Sequence, residues 1–311
     1  MAKEFPIRNY KQGVKIITEN VTAPDCFFVV KTGHVRISTT SGVPLFYNKD
    51  IVGAGEFFGV AACLNESIAL DTAIAESDVT VTCVSKADFP SFIGENLGTM
   101  NRIQSYLSGR LRLLNDYLTR GVTKTDSENS LNMIFTNGEY FYKQKLFTRA
   151  FCAYKKYLKF APDGEFAKQA AEKANELAEY GKNIRFDYGD KDLKRFYPVN
   201  TLIFSEKELG TEMFVVQKGK INITKIVDNK EIILATLKQG DVLGEMGLID
   251  QKPRSANAVA TEDCEIMAIA KAVYLPLLKD ANAIIERICK TLAQRICTMH
   301  ERIKNELQKS S

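Results

Sequence analysis

The stretch Leu243-Gly-Glu-Met-Gly-Leu-Ile249, followed three residues later by Pro253-Arg-Ser-Ala256, decides the fold class of this 311-residue chain. Arg254 can meet a phosphate edge with two parallel charge-assisted hydrogen bonds, and Glu245 can accept a hydrogen bond from a sugar hydroxyl. Gly244 has no side chain to keep a ligand away from the backbone, and the short turn after it is expected to direct free N–H groups at an anion. The pattern predicts a site for a small phosphate ester.

Short runs rich in Val, Ile and Phe flank this stretch on both sides. Ile221 and Ile223 alternate with Asn222 and Thr224, which predicts a strand with one buried and one exposed face. Asp228-Asn229 has the composition of a hairpin turn. Short strands at this spacing predict a β-sandwich or jelly roll. The runs are Thr201–Phe204, Met213–Val216, Ile221–Ile223, Ile232–Leu234, Ala256–Val259 and Cys264–Ile269.

The spaced Gly-Glu and Pro-Arg pairs resemble the phosphate-binding cassette of the cyclic nucleotide-binding domain family, as in the catabolite activator protein and the regulatory subunits of cyclic AMP-dependent protein kinase. The resemblance implies a β jelly roll (double-stranded β-helix) whose ligand is cyclic AMP or cyclic GMP, with no other cofactor and no metal. Ser255, directly after Arg254, favours cyclic AMP, whereas a Thr there would favour cyclic GMP. The implied ligand contacts are Leu243, Gly244, Glu245, Met246, Arg254, Ser255, Ala256 and Thr298.

The N-terminal part of the chain repeats the pattern of the C-terminal part. Phe28–Ile37 aligns with Phe214–Ile223, and Gly55–Gly59 aligns with Gly240–Gly244. We therefore predict two jelly rolls in a fold that is mainly β, with added helices. The predicted domains are residues 1–122, a barrel with a trailing helix, residues 131–182, a helical module, and residues 183–311, a barrel with the C-terminal helix.

The first copy lacks the ligand chemistry of the second. Without a gap in the alignment, Val60 stands opposite Glu245, and Ala69 stands opposite Arg254. The nearest charge, Asp71, has the wrong sign, so a phosphate buried there would find no cation. We predict that this barrel does not bind a cyclic nucleotide. An apolar ligand, or a purely structural role, remains open.

Between the barrels, the sequence predicts a helix that ends near Gly121, a polar linker at Thr123–Ser130 and a helical hairpin. Small, aromatic and terminating residues of the hairpin resemble those of a tetratricopeptide repeat, and a generic hairpin is the alternative. A single repeat cannot bury its own apolar face, so the hairpin is expected to pack on a barrel or on a protein partner. The residues that carry the resemblance are Gly138, Phe141, Ala150, Tyr154 and Pro162.

The segment Lys279–Lys309 predicts a long C-terminal helix with an apolar stripe through Ile284, Ile288, Leu292 and Ile296. We expect part of it to pack on the second barrel and the rest to pair with a second copy of the chain as a homodimer. In the catabolite activator family this helix also contacts the base, which implies a role for Thr298 or His300. No helix-turn-helix pattern follows it, so direct DNA reading is not expected.

Composition narrows the function classes further. The seven cysteines of the chain lie mostly in apolar runs without a Cys-x-x-Cys pair, which predicts reduced core thiols in a cytoplasmic protein. No apolar run is long enough for a membrane span. Six basic residues and interleaved aromatics between Tyr140 and Pro162 could serve an acidic partner or nucleic acid, but aromatics on the hairpin's inner face and neutralisation by the acidic Glu165–Glu179 helix are the favoured interpretation.

The favoured function is a non-catalytic cyclic nucleotide receptor that signals through helix rearrangement and protein contacts. The alternatives are a scaffold with purely structural barrels and a kinase-type regulatory subunit. The absence of an adjacent Arg-Arg pair and the helical module between the barrels oppose the kinase subunit. Nucleotide-binding P-loop, hydrolase and metalloprotease motifs do not occur, so an enzyme is not expected.

Overall fold

The computed structural model describes residues 3–45, 50–94, 97–119, 131–186, 188, 192–272 and 282–310. The predicted linker at Thr123–Ser130 lies outside these residues. The chain forms two compact units. One contains residues 1–118 and 275–311, and the other contains residues 119–274. The prediction that residues 183–311 form one domain therefore differs from the structure, which groups the C-terminal helix with the first barrel.

The first barrel consists of two antiparallel four-stranded sheets, with strand orders β1-β8-β3-β6 and β2-β7-β4-β5. Inward positions alternate along the strands: Val79, Val81 and Cys83 of β8 are buried, and the residues between them are half-buried. The strands are β1 (Ile7–Tyr10), β2 (Lys15–Ile17), β3 (Cys26–Thr32), β4 (Val35–Ser38), β5 (Ile51–Val52), β6 (Phe57–Phe58), β7 (Thr72–Ala75) and β8 (Val79–Ser85).

The second barrel repeats this topology, with strand orders β9-β16-β11-β14 and β10-β15-β12-β13. The predicted turn at Asp228-Asn229 joins β12 to β13, and both residues have positive φ as a tight hairpin requires. The duplicated jelly roll is thus confirmed. The strands are β9 (Lys194–Tyr197), β10 (Leu202–Phe204), β11 (Glu212–Lys218), β12 (Ile221–Val227), β13 (Lys230–Leu237), β14 (Val242–Leu243), β15 (Asn257–Ala260) and β16 (Cys264–Ala270).

Helices are added to each barrel. In the first unit they are α1 (Val60–Leu64), α2 (Phe89–Gly94), α3 (Leu97–Leu118) and the C-terminal helix, and in the second unit they are α4 (Asn132–Lys143), α5 (Phe147–Phe160), α6 (Ala167–Glu176) and α7 (Glu245–Ile249), with a short 3-10 helix at Ala178–Gly181. The C-terminal helix, α8, spans Asn282–Ser310.

Helix α8 packs on the first barrel instead of the second. In its apolar stripe, Ile288, Leu292 and Ile296 are fully buried and Ile284 is half-buried. Within the first unit, α8 contacts α1, α2 and α3. The expectation that this helix folds against the second barrel is therefore wrong. The amphipathic pattern correctly predicted a helix with one covered face, but an apolar stripe fits any apolar surface of matching shape. The stripe predicted for homodimer formation has a partner inside the chain.

The predicted helical hairpin is formed by α4 and α5 and packs on the second barrel, as expected. Leu202 of β10 and Val259 of β15 belong to the same apolar cluster as the hairpin aromatics. At the junction, Asn137 Nδ2 donates to Ser205 Oγ at 3.1 Å and to Asn257 Oδ1 at 3.2 Å. These two buried hydrogen bonds favour one arrangement of the hairpin on the barrel. Membership in the tetratricopeptide family stays a prediction.

The hairpin's basic residues are neutralised differently from what the sequence suggested. Arg149 pairs with Glu231 of β13 at 2.9 Å, and Lys156 pairs with Glu208 of the β10–β11 loop at 3.1 Å. Both acids belong to the second barrel, whereas the acidic helix Glu165–Glu179 was expected to supply them. The aromatic side chains Phe141, Tyr154 and Tyr157 lie in the hairpin core, as predicted.

All seven cysteines are buried and unpaired. Among the described residues, no helix combines the length and apolar character that a bilayer crossing requires. The described part of the chain also contains no cluster of three or more His, Cys, Asp or Glu side chains that could hold a metal ion.

Candidate functional site

The predicted cassette forms one connected loop in the second barrel. Strand β14 ends at Leu243, Gly244 adopts the left-handed backbone conformation at φ 77°, and α7 begins at Glu245. A side chain on Gly244 would also meet Arg254, because a Cβ there would lie 2.5 Å from the Arg254 Nη1 atom. Both the backbone angle and the close approach therefore require glycine at this position.

Arg254 lies at the centre of this loop and is only 5% exposed. Its Nη1 donates to the Gly244 carbonyl oxygen, and its Nη2 donates to the Glu212 carbonyl oxygen at 2.6 Å. The guanidinium covers the Phe204 ring at 4.5 Å from the ring centroid. These hydrogen bonds and the contact with the Phe204 ring hold the guanidinium in one orientation.

The charge on Arg254 is incompletely compensated. Burial lowers the pKa of its guanidinium, while the carboxylates of Glu208, Glu245 and Glu212 act in the opposite direction. Its buried Nε–H has no hydrogen-bond partner among the residues that the structure describes. A buried cation in this state gains free energy from an anionic oxygen acceptor, because its desolvation cost has already been incurred in folding.

The other predicted cassette residues surround the same loop. Glu245 is 1% exposed, Met246 is 5% exposed and Leu243 is fully buried. Ser255 Oγ contacts the Met246 sulfur at 3.9 Å. The structure thus brings together seven of the predicted residues: Leu243, Gly244, Glu245, Met246, Arg254, Ser255 and Ala256.

Thr298, the eighth predicted residue, is not part of this loop. It is exposed on α8, in the first unit. Its neighbour Cys297 lies 3.4 Å from Ser67 Oγ and 3.7 Å from the Ala61 carbonyl oxygen. His300, the alternative base contact, is buried in the same unit. The implied base contact relied on the family's helix position, which this chain uses for its first barrel.

The β10–β11 loop adds a residue that the sequence analysis missed. Glu208 accepts from the Ser205 amide at 2.9 Å and pairs with Lys156, and its carbonyl oxygen accepts from the Arg254 amide at 2.9 Å. The signal in the sequence was the acidic run Glu206-Lys-Glu208 just after a strand. The position of this loop opposite Arg254 follows from pairing of β10 with β15, which sequence spacing does not reveal.

The corresponding position in the first barrel is apolar. Val60 is the first residue of α1, as Glu245 is of α7, and Val60 and Ala69 are both buried. However, Arg110 of α3 reaches Asp71 at 2.9 Å. The prediction that no cation lies near this position is therefore wrong, although the cation is neutralised by Asp71. Sequence alignment of the barrels missed Arg110 because it comes from a helix outside the aligned strands.

Comparisons with known proteins agree with the duplicated barrel. The model of the cyclic nucleotide-binding domain matches residues 7–96 and 194–281, together more than half of the chain. A stretch of 104 residues, 33% of this chain, is 35% identical to the cyclic AMP receptor protein of Thermus thermophilus and covers 48% of it. A stretch of 84 residues, 27% of this chain, is 30% identical to human Rap guanine nucleotide exchange factor 3 and covers 9% of it.

Among solved structures, one described as "cAMP bound PfPKA-R (141-441)" aligns with 98% of this chain and 81% of its own, at 19% identity and a TM-score of 0.29. The chain spans about half the length of the bacterial relatives it matches. The two matches to the domain model coincide with the two jelly rolls. This chain belongs to the cyclic nucleotide-binding domain family and carries two copies of the domain.

Proposed function

We propose that the second barrel binds a cyclic nucleotide, preferentially cyclic AMP, and that the chain is a non-catalytic receptor. The observation that carries this proposal is the state of Arg254. Among the described residues, both hydrogen bonds of its guanidinium go to main-chain carbonyl oxygens, and neither goes to a carboxylate. Carbonyl oxygens carry no net charge, so a phosphate oxygen that replaces them adds the attraction between opposite charges to the hydrogen bond.

Glu245 supplies the second half of the recognition. Its carboxylate is buried beside Arg254, and a carboxylate can accept hydrogen bonds from a ribose hydroxyl. A cyclic phosphate places its anionic oxygens and the ribose hydroxyl on one rigid ring. One cation and one acceptor next to Gly244 suit that ring, and they discriminate against ligands that lack either group.

We further propose that the signal leaves the site through the helical hairpin. The route from Arg254 runs through its backbone bond with Glu208 to the ion pair of Glu208 with Lys156 on α5. A ligand phosphate that draws Arg254 out of its carbonyl contacts changes the electrostatic environment of Glu208. The hairpin then shifts between two arrangements relative to the second barrel, provided that the ligand binds the protein more tightly in one arrangement than in the other. A protein partner that binds the hairpin would then bind with a different affinity.

Isothermal titration calorimetry with cyclic AMP and cyclic GMP tests the binding proposal. Wild-type protein is expected to bind cyclic AMP more tightly than cyclic GMP. Arg254→Ala is expected to lose about 2–5 kcal/mol of binding free energy, because a desolvated charge contact to phosphate is removed. Arg36→Ala is the matched control, since Arg36 forms ion pairs with Glu76 and Asp50 on the first barrel.

Two results would contradict the proposal. Absence of heat with either nucleotide in wild-type protein would favour the scaffold alternative. An equal loss of affinity in Arg254→Ala and Arg36→Ala would place the site elsewhere or indicate an effect of net charge alone.

A further inference from the structure

The first barrel contains a cavity of about 370 Å³. Its wall consists mainly of inward side chains of the jelly roll and of α1, and α3 contributes the remaining side. Its apolar wall residues include Ile17, Ile37, Phe58, Ala69 and Ala73, each less than a tenth exposed. Ligand pockets in proteins start at about 300 Å³, so the cavity is large enough for a small organic molecule.

The charged residues around this cavity cancel each other. Glu56 and Asp71 are the acids, and Arg102 and Arg110 are the bases. Asp71 is bound to Arg110, and Arg102 covers the Phe57 ring at 5.8 Å. Among the described residues, the buried cation of this wall is thus paired with a carboxylate, whereas the hydrogen bonds of Arg254 go to carbonyl oxygens. The charge balance favours a ligand without net charge.

One polar group of the wall lacks a partner. Arg110 is 3% exposed and its Nη2 donates to Asp71. Within the described part of the chain, its buried Nε–H has no hydrogen-bond partner. A buried donor without an acceptor costs roughly 1–3 kcal/mol. A ligand with one oxygen or nitrogen acceptor at this end of the cavity would recover that free energy.

We infer that the first barrel is a binding site for a small, uncharged and predominantly apolar molecule that presents one hydrogen-bond acceptor to Arg110. Apolar atoms of the ligand would be buried against Ile37, Phe58 and Ala73, where burial stabilises by about 25 cal/mol per Å². This site is independent of the cyclic nucleotide proposed for the second barrel.

Fluorescence titration of the full chain with the neutral probe N-phenyl-1-naphthylamine tests this inference, because the probe brightens in apolar surroundings. Wild-type protein should show saturable binding of one probe per chain. Ala69→Leu fills the cavity, and Ser105→Phe narrows it from the half-buried α3 side. Each should weaken probe binding at least tenfold. Ile7→Phe, at an exposed position of β1, is the control and should leave it unchanged.

Competition experiments identify the chemical class of the ligand, and hydrogen exchange locates its binding site in the chain. Octanol should displace the probe, whereas cyclic AMP and octanoate should not. Bound probe should slow amide exchange in residues 57–75 and leave residues 242–256 unchanged. Circular dichroism checks that both variants fold. If Ala69→Leu does not fold, the probe affinity of Ser105→Phe alone tests the inference. Non-saturable fluorescence, unchanged binding in folded Ser105→Phe protein, or displacement by cyclic AMP would overturn the inference.

Discussion

Glu245 and Val60 begin the same short helix in two copies of one fold, after glycines with φ of 77° and 76°. The backbone is thus conserved between the barrels while the side-chain chemistry is exchanged. Apolar residues at Val60 and Ala69 leave a neutral cavity, whereas Glu245 and Arg254 form a charged cassette. We propose that two side chains on a common backbone decide the class of ligand that each barrel binds.

Gly244→Ala tests if the backbone conformation of Gly244 and its close approach to Arg254 are needed for ligand binding. The added methyl group would lie 2.5 Å from Arg254 Nη1 and would occupy a backbone angle that favours glycine. We expect at least a tenfold loss of cyclic nucleotide affinity in calorimetry. Gly13→Ala is the control, because Gly13 has a similar φ of 85° with open space around it. Equal losses of affinity in the two variants would contradict this account.

His300 provides a pH-dependent test of the first unit. Burial and the nearby Arg110 lower the pKa of its imidazole, although Asp71, Glu301 and Glu19 act in the opposite direction. Since the unfolded chain then binds a proton more readily than the folded one, the free energy of unfolding should fall as pH drops below about 6.5. His300→Gln should flatten this dependence in thermal unfolding between pH 5 and 8.

The control for this prediction is His34→Gln, at an exposed histidine of the first barrel. If His300→Gln and wild-type protein show the same pH dependence while His34→Gln removes it, the buried imidazole is not the responsible group.

At the level of elements, the α4–α5 hairpin depends on a close approach at Gly138. A Cβ there would lie 2.7 Å from Tyr154 Cε1 and 3.3 Å from the Ala153 Cβ. Alanine favours helix by about 1 kcal/mol over glycine, but overpacking costs about 1–3 kcal/mol. We expect Gly138→Ala to reduce the free energy of unfolding in urea by about 1 kcal/mol. Thr136→Ala, at an exposed position of α4, should not destabilise.

The junction of α5 with the second barrel is tested by Lys156→Gln. The change leaves Glu208 without its cation beside Arg254, which makes the site less favourable for an anion. A loss of about 1 kcal/mol in binding free energy, roughly fivefold in affinity, is expected for a partly buried pair. Lys155→Gln, at the exposed neighbouring position, should bind like wild-type protein. Indistinguishable affinities would show that the hairpin is not coupled to the ligand.

The strands and helices were predictable from the sequence, but the elements on which each of them packs were only partly predictable. The alternation of Ile221 and Ile223 with polar residues predicts a strand without any knowledge of its neighbours, because the period of two belongs to the backbone. The position of α8 was not predictable, since its stripe at Ile288 and Leu292 specifies a covered face without naming what covers it. Arg110 was missed for the same reason: a contact between a helix and a barrel has no local signature.

The whole molecule combines two units whose chain segments are interleaved in sequence. The repeat and the cassette were visible because they are linear patterns, such as Gly244-Glu245 and Pro253-Arg254. The assignment of residues 275–311 to the first unit was not visible, because it depends on a return of the chain to a unit that it had left near Leu118.

Truncation after Tyr274 tests this assignment. Removing α8 exposes the apolar faces of α1 and α3 that it buries, so the first unit should lose cooperative thermal unfolding. Cyclic nucleotide affinity of the second barrel should stay within about twofold of the full chain, since every proposed contact except Thr298 lies before residue 275. A loss of affinity beyond tenfold would return the base-contacting role to α8.

The most direct measurement of the central claim is hydrogen–deuterium exchange of the full chain with and without saturating cyclic AMP. The account predicts slower exchange in residues 242–257 and in the loop 205–212, with no change in residues 57–71. Protection of residues 57–71, or unchanged exchange throughout both barrels, would contradict it.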